Sequence, residues 1–145
     1  MSKYIDLCGE PKKLDEILKK IRNADPFKQL LDDPDVVCYA ASIAKNMDKV
    51  TPTQMRRFYG YVKSIEQVNR GRDDIEIVIL QKARLKLLQP KIAGSSERKH
   101  LTELYEVVKE CVEDGKIVDV GDMRAFVAFF EAILDYHSTI DHKKD

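Results

Sequence analysis

Apolar residues recur three and four positions apart through most of this chain, which is the spacing of one face of an α-helix. In "PKKLDEILKKIRN" the residues Leu14, Ile17, Leu18 and Ile21 form such a stripe behind Pro11 and predict a helix ending near Asn23. "DPFKQLLDDPD" interrupts the pattern and leaves room for one short turn. A second helix is predicted over residues 34–47, with Val37, Ala41, Ala44 and Met47 on its inner face, Asp33 as cap and Pro34 at the first helical position.

Thr51 opens the best-specified helix. Its hydroxyl can cap free amides, Pro52 suits the first position, and Gln54 stands where a capping box places its return partner. Met55, Phe58, Val62 and Ile65 then follow helical spacing, Tyr59 widens the apolar face, and Gly71 supplies a stop. A further helix is predicted from about Asp73 to Leu88. Its Ile75, Ile77, Val78, Ile79 and Leu80 are strand-like in composition, but "LQKARLKLL" continues without a break and a lone strand would lack a partner. Pro90 and "AGSS" mark a joint. Beyond it, Leu101, Leu104, Tyr105, Val108 and Val112 predict a helix capped by Ser95 or Ser96 and closed at Gly115. Asp119 or Asp122 starts the last helix, whose Phe126, Phe129, Phe130, Ile133 and Leu134 suit a central position or a surface between copies.

The fold class implied is all-α: a compact bundle of five to six helices joined by short loops, forming a single domain over residues 1–145. The polar end, residues 138–145, is expected to fray. No apolar run is long enough to span a membrane and no signal peptide is evident, so the expected location is cytoplasmic. Three cysteines, at 8, 38 and 111, lack close spacing and indicate no disulfide framework; Cys38 and Cys111 fall within apolar patterns and read as small core residues.

Charge balances at 25 basic and 25 acidic residues, but its distribution does not. Between Lys49 and Lys99 there are 12 Lys or Arg against 5 Asp or Glu, so the flanking parts are acidic. Such a chain can offer a basic face to a polyanion and an acidic face to a basic protein surface, although charge-rich helical surfaces also fluctuate this much.

Catalytic patterns are missing. The chain has no glycine-rich phosphate loop, no H-E-x-x-H and no G-x-S-x-G. His100, His137 and His142 are too scattered to propose a metal site, and the paired carboxylates, including Glu103, Glu106 and Glu110, read as solvated helix faces. The expectation is no catalytic residue, no metal and no cofactor.

The basic positions are more informative. Arg56, Lys63 and Arg70 recur every seven residues along the Thr51 helix, with Gly60 leaving the backbone bare between the first two. Arg57 stands at the edge of the apolar face. Lys82 and Lys86 are helical neighbours, whereas Arg84 is assigned to a different face, and Lys91, Arg98 and Lys99 surround the joint. An antiparallel pair of helices would bring Arg56 and Arg57 near Lys91 and Arg98. Arginine and lysine on helix faces match phosphates and carry no base code. Tyr59 reads as core, while Tyr61 is open to base stacking.

Three blocks, "TPTQMRRFYGYVKSIE", "LLQPKIAGSSERK" and "FVAFFEAILDYHSTI", resemble the signature segments of the small subunit of type III-A CRISPR (Csm) RNA-guided effector complexes. The resemblance covers about Thr51 to His137 in the family's order; residues 1–50 are less diagnostic. It implies a helical, non-catalytic antiviral subunit, present in several copies and lining the channel that holds guide and target RNA. By the same resemblance Arg56, Arg57, Lys91 and Arg98 take RNA-binding positions. Lys63 is added on geometry, with Arg70, Lys82, Lys86 and Lys99 as further candidates. Glu131 takes a packing or subunit contact. One departure stands out, Gly94 in "PKIAG", where the family places an aromatic residue.

The implied partners are guide RNA, target RNA, the repeated backbone subunits, the large subunit and neighbouring copies of the chain, with a homodimer of the isolated subunit left open. A helical adaptor or scaffold that binds only proteins is the alternative. It differs in making the Thr51-helix arginines dispensable for RNA.

Overall fold

The computed structural model describes residues 12–68, 84, 86–94, 101–113 and 116–139. Among them the chain forms six α-helices and one 3-10 helix: α1 (Leu14–Asn23), the 3-10 helix Phe27–Asp32, α2 (Val36–Lys45), α3 (Pro52–Val68), α4 (Leu88–Ala93), α5 (Thr102–Cys111) and α6 (Val120–Ser138). The fold is the expected all-α bundle. Of the long helix predicted over 73–88, all but Arg84 and residues 86–88 lies outside the described residues; Ser95 and Ser96, also outside them, do not cap α5, which begins at Thr102 with Leu101 at its N-cap.

Helix α6 is the centre of the packing: α2, α3 and the 3-10 helix all lie against it, while α5 joins α1 to α4 and α4 returns to α3. The phenylalanine stripe explains why. Phe126, Phe129 and Phe130 are buried, and the Phe27 ring meets Phe126 and Phe129 edge-on at 5.9 and 6.2 Å between centroids. Phe126 meets Phe130 the same way at 6.1 Å, and Tyr59 of α3 stacks on Phe130 at 6.4 Å. Each such pair adds about 0.5–1.5 kcal/mol to the burial itself. The stripe is therefore core and is not free to join copies. The short turn expected in "DPFKQLLDDPD" is a packing hub, because a 3-10 helix aims Phe27 and Leu30, three apart, at the same face.

Residues 116–122 hold this hub. Lys116 is buried, and its ammonium donates to the carbonyls of Ile21, Arg22 (2.6 Å) and Ala24 (2.5 Å), where α1 ends. All three ammonium donors are used, and a cation sits where a helix C-terminus attracts one. Burial lowers the Lys116 pKa from the ordinary lysine range, with Asp25 pulling the other way. The Phe27 N–H donates to the Lys116 carbonyl at 2.8 Å. Asp122, fully buried, accepts from the N–H groups of Lys28 (2.9 Å), Val118 (3.0 Å) and Asp119 (3.4 Å). Asp119 accepts in turn from the Asp122 N–H at 2.9 Å, completing a capping box, and its carboxylate pairs with Lys28 at 3.0 Å. The two candidate start residues of the last helix thus act together.

Other sequence expectations needed correction. Ala41, Ala44 and Met47 are buried as expected, but so are Tyr39, Ala40 and Ile43, whereas Val37 is 48% exposed. Asp33 and Pro34 do not start the helix: it begins at Val36 with Asp35 at its N-cap, and the Asp33 carboxylate accepts from the Asp35 N–H at 2.9 Å and from the Tyr39 hydroxyl at 2.8 Å. His137, placed by sequence on a fraying end, is fully buried and holds the Met47 carbonyl through Nε2 at 2.8 Å. Cys38 is disulfide-bonded, since folding can pair cysteines far apart in sequence, while Cys111 is a buried free thiol whose pKa burial pushes up.

Replacing Lys116 by Met keeps much of its volume and orphans the α1 carbonyls, at a cost of about 3 kcal/mol. Urea unfolding followed by circular dichroism should show a midpoint lower by about 1.5 M for a slope near 2 kcal/mol/M; an unchanged midpoint would mean the ammonium adds nothing net. For Asp119, burial raises the pKa, but the Asp122 N–H and Lys28 together outweigh it, leaving a folded-state value below the ordinary 3.8. A depressed carboxylate stabilises the fold above its unfolded-state pKa and loses that contribution as pH falls through the folded value. Stability should accordingly hold from neutral pH to about pH 5 and fall below about pH 4, with Asp119→Asn, which keeps the cap and removes the charge, giving a shallower acid decline in the same assay.

Candidate nucleic-acid interface

The rotation of α3 about its axis is fixed before any ligand is considered. The Thr51 hydroxyl accepts from the Gln54 N–H at 3.1 Å, as the sequence predicted, and Met55, Phe58, Val62 and Ile65 are all buried. The opposite side carries Arg56, Arg57, Gly60 and Ser64, all exposed. Neither arginine is held in an ion pair among the described residues. Lys63 differs, because its ammonium pairs with Glu66 of the next turn at 3.4 Å. A methyl group at Gly60 would meet nothing within 4 Å, so the bare backbone there faces open space.

Lys91 joins this surface from α4. Leu88 and Ile92 bury the inner side of that short helix, and Lys91 projects outward with its ammonium 4.6 Å from the centroid of the Tyr61 ring. This is a cation–π contact between α3 and α4. Tyr61 lies four residues after Arg57 and is therefore its neighbour along the helix. Lys91 thus meets the basic face one turn beyond the arginine pair. The Tyr61 hydroxyl also donates to the Arg84 carbonyl at 2.8 Å. Burial raises the Tyr61 pKa, and the Arg84 charge opposes that rise, so the guanidinium is near the phenol. The sequence assigned Arg84 to a different face from Lys82 and Lys86; the structure places it, exposed, beside Tyr61. Lys86 is exposed. Arg70, Lys82, Arg98 and Lys99 lie outside the described residues.

The aromatic residues divide as their contacts dictate. Tyr59 is committed inward, stacked on Phe130 and hydrogen-bonded to Glu131, with burial first and Glu131 second in raising its pKa. Glu131 itself is exposed on α6. Tyr61 presents a ring face to Lys91. At Gly94, which closes α4 through its N–H to the Pro90 carbonyl (2.8 Å), a Cβ would approach that carbonyl to 3.2 Å. A side chain there would crowd the end of α4.

Among the described residues no three His, Cys, Asp or Glu side chains are grouped to hold a metal ion. Glu103 is raised in pKa by burial, opposed by a hydrogen bond from Asn46, and Glu110 is tied to Arg22 through Oε2 and Nη2 at 2.9 Å. What the geometry offers is an exposed cationic surface on a rigid helix, suited to anions in a row.

No curated protein and no solved structure gave a significant match. No helix among the described residues is long and apolar enough to cross a membrane. The profile of the Csm2 Type III-A family matches residues 31–143. The chain belongs to that family, the small subunit of the type III-A CRISPR Csm complex.

Proposed function

We propose that this small subunit contacts the phosphate backbone of the guide–target RNA duplex or of the target RNA inside the effector complex, without reading sequence and without catalysis. The observation that carries the reading is the pair Arg56 and Arg57, exposed and unpaired among the described residues, beside Lys91 on its Tyr61 platform. Arginine and lysine in this arrangement neutralise phosphates and leave base edges unread. A guide–target duplex changes sequence with every guide, so it has to be held by backbone and shape. Lys63 and Lys86 are further candidates among the described residues, and Arg98, Arg70, Lys82 and Lys99 are candidates from the sequence alone. Neighbouring copies, the repeated backbone subunits and the large subunit are the protein partners of this reading, and the cytoplasm is its setting. A chain of zero net charge stacks on its own copies with less repulsion than a uniformly basic one.

The test is target-RNA binding against salt by the complex reconstituted with guide RNA, comparing wild type with Arg56→Ala/Arg57→Ala/Lys91→Ala. Three lost phosphate contacts should reduce the slope of log K against log salt by about 2–3 and leave assembly intact. Unchanged binding would remove the RNA role of these residues. Failed assembly would turn them into protein-docking residues and favour the adaptor reading. Gly60→Ala gives a finer check. With open space around the new methyl group, it should stabilise the isolated subunit by about 0.5–1 kcal/mol, read from urea unfolding. If RNA runs against the bare backbone of α3, the same change weakens target binding by the complex despite the gain in stability.

A further inference from the structure

Tyr61 makes two contacts that tie separate segments together. Its ring lies under the ammonium of Lys91 at 4.6 Å, and its hydroxyl bonds the Arg84 carbonyl at 2.8 Å. A lysine side chain free in solvent occupies many rotamers, and fixing it on a ligand costs about 1.5–2 kcal/mol of entropy. A ring beneath the ammonium meets part of that cost before the ligand arrives, because the cation is already held at one place. The hydroxyl bond sets the ring against the segment that leads into α4, so the platform itself is fixed. The ring face turned to Lys91 is occupied by the cation and is not a free stacking surface for a base.

Resting on the RNA-contact reading above, we infer that Tyr61 is a positioning residue: its ring holds the Lys91 ammonium in place for a phosphate of the bound RNA. The sequence had left Tyr61 as a base-stacking candidate, and the two roles differ in what mutation does. Four complexes carrying guide RNA are compared for target binding across a salt series: wild type, Lys91→Ala, Tyr61→Leu and Tyr61→Leu/Lys91→Ala, with Tyr61→Phe as the conservative variant.

A positioning role predicts that Lys91→Ala and Tyr61→Leu each lower the salt slope by about one. It also predicts that the double variant binds no more weakly than Lys91→Ala alone. Tyr61→Phe, which keeps the ring, restores wild-type affinity and slope. Urea unfolding of each isolated variant checks the fold, and Tyr61→Met, with the same expectations, replaces Tyr61→Leu if the latter is poorly folded. Should Tyr61→Leu weaken binding as much in the Lys91→Ala background as in wild type, the tyrosine contacts RNA itself and the inference is overturned. A wild-type slope for Tyr61→Leu beside a reduced slope for Lys91→Ala overturns it as well, while leaving the RNA-contact reading standing. If Lys91→Ala has no effect, there is nothing to position and the inference fails; the RNA-contact reading then falls only if Arg56→Ala/Arg57→Ala is also silent.

Discussion

The ammonium of Lys116 and the carboxylate of Asp122 grip the turn at residues 21–28 from two sides. One neutralises the carbonyl end of α1, the other collects the N–H of Lys28 together with those at the start of α6. A buried charge is tolerated only when its hydrogen-bonding capacity is filled, so this arrangement fixes where α1 stops and where α6 begins. Between the two grips lies Phe27, whose N–H is bonded to the Lys116 carbonyl and whose ring is surrounded by the rings of α6. Polar satisfaction and aromatic packing thus act on the same few residues.

With α6 located, the rest of the bundle has little freedom. Helix α3 can bury Met55, Phe58, Val62 and Ile65 only by turning Arg56, Arg57 and Gly60 to solvent. Its registry against α6 is set by Tyr59 on Phe130 and by the Tyr59 hydroxyl on Glu131. Helix α4, buried through Leu88 and Ile92, then delivers Lys91 to the outer edge of α3. The cationic face is therefore a by-product of core packing, and its stiffness comes from the helices that carry it.

That stiffness suits the role of a small subunit in a repeated assembly. On the proposed reading, a single copy need bind RNA only weakly if the complex holds several copies at high effective concentration. Basic residues are concentrated in the middle of the chain and the acidic excess falls mainly toward its C-terminal part; on the proposed reading this would let one molecule face RNA and a basic protein surface at once.

Much of this was legible in the chain itself. Helical periodicity located α1, α3, α5 and α6, Thr51 was read as the cap of α3, and Met55, Phe58, Val62 and Ile65 of that helix's predicted stripe are buried. The family blocks and the exposed arginines were equally readable, because the alternation of apolar and basic residues on one helix is a local property. What sequence could not supply were relations between distant residues. Val37 and Ala40 look alike in a window of ten, and which of them is buried depends on how α2 packs against α6. Lys116 carries no local signal, and Asp122 reads only as a helix-start residue, until α1 and the Phe27 turn surround them. Tyr61, Arg84 and Lys91 become one unit only where α3 and α4 meet. Local spacing determined which residues form helices and which faces are apolar or basic. Tertiary structure decided which charges are buried and which cations share a surface, because those outcomes depend on partners brought together by packing.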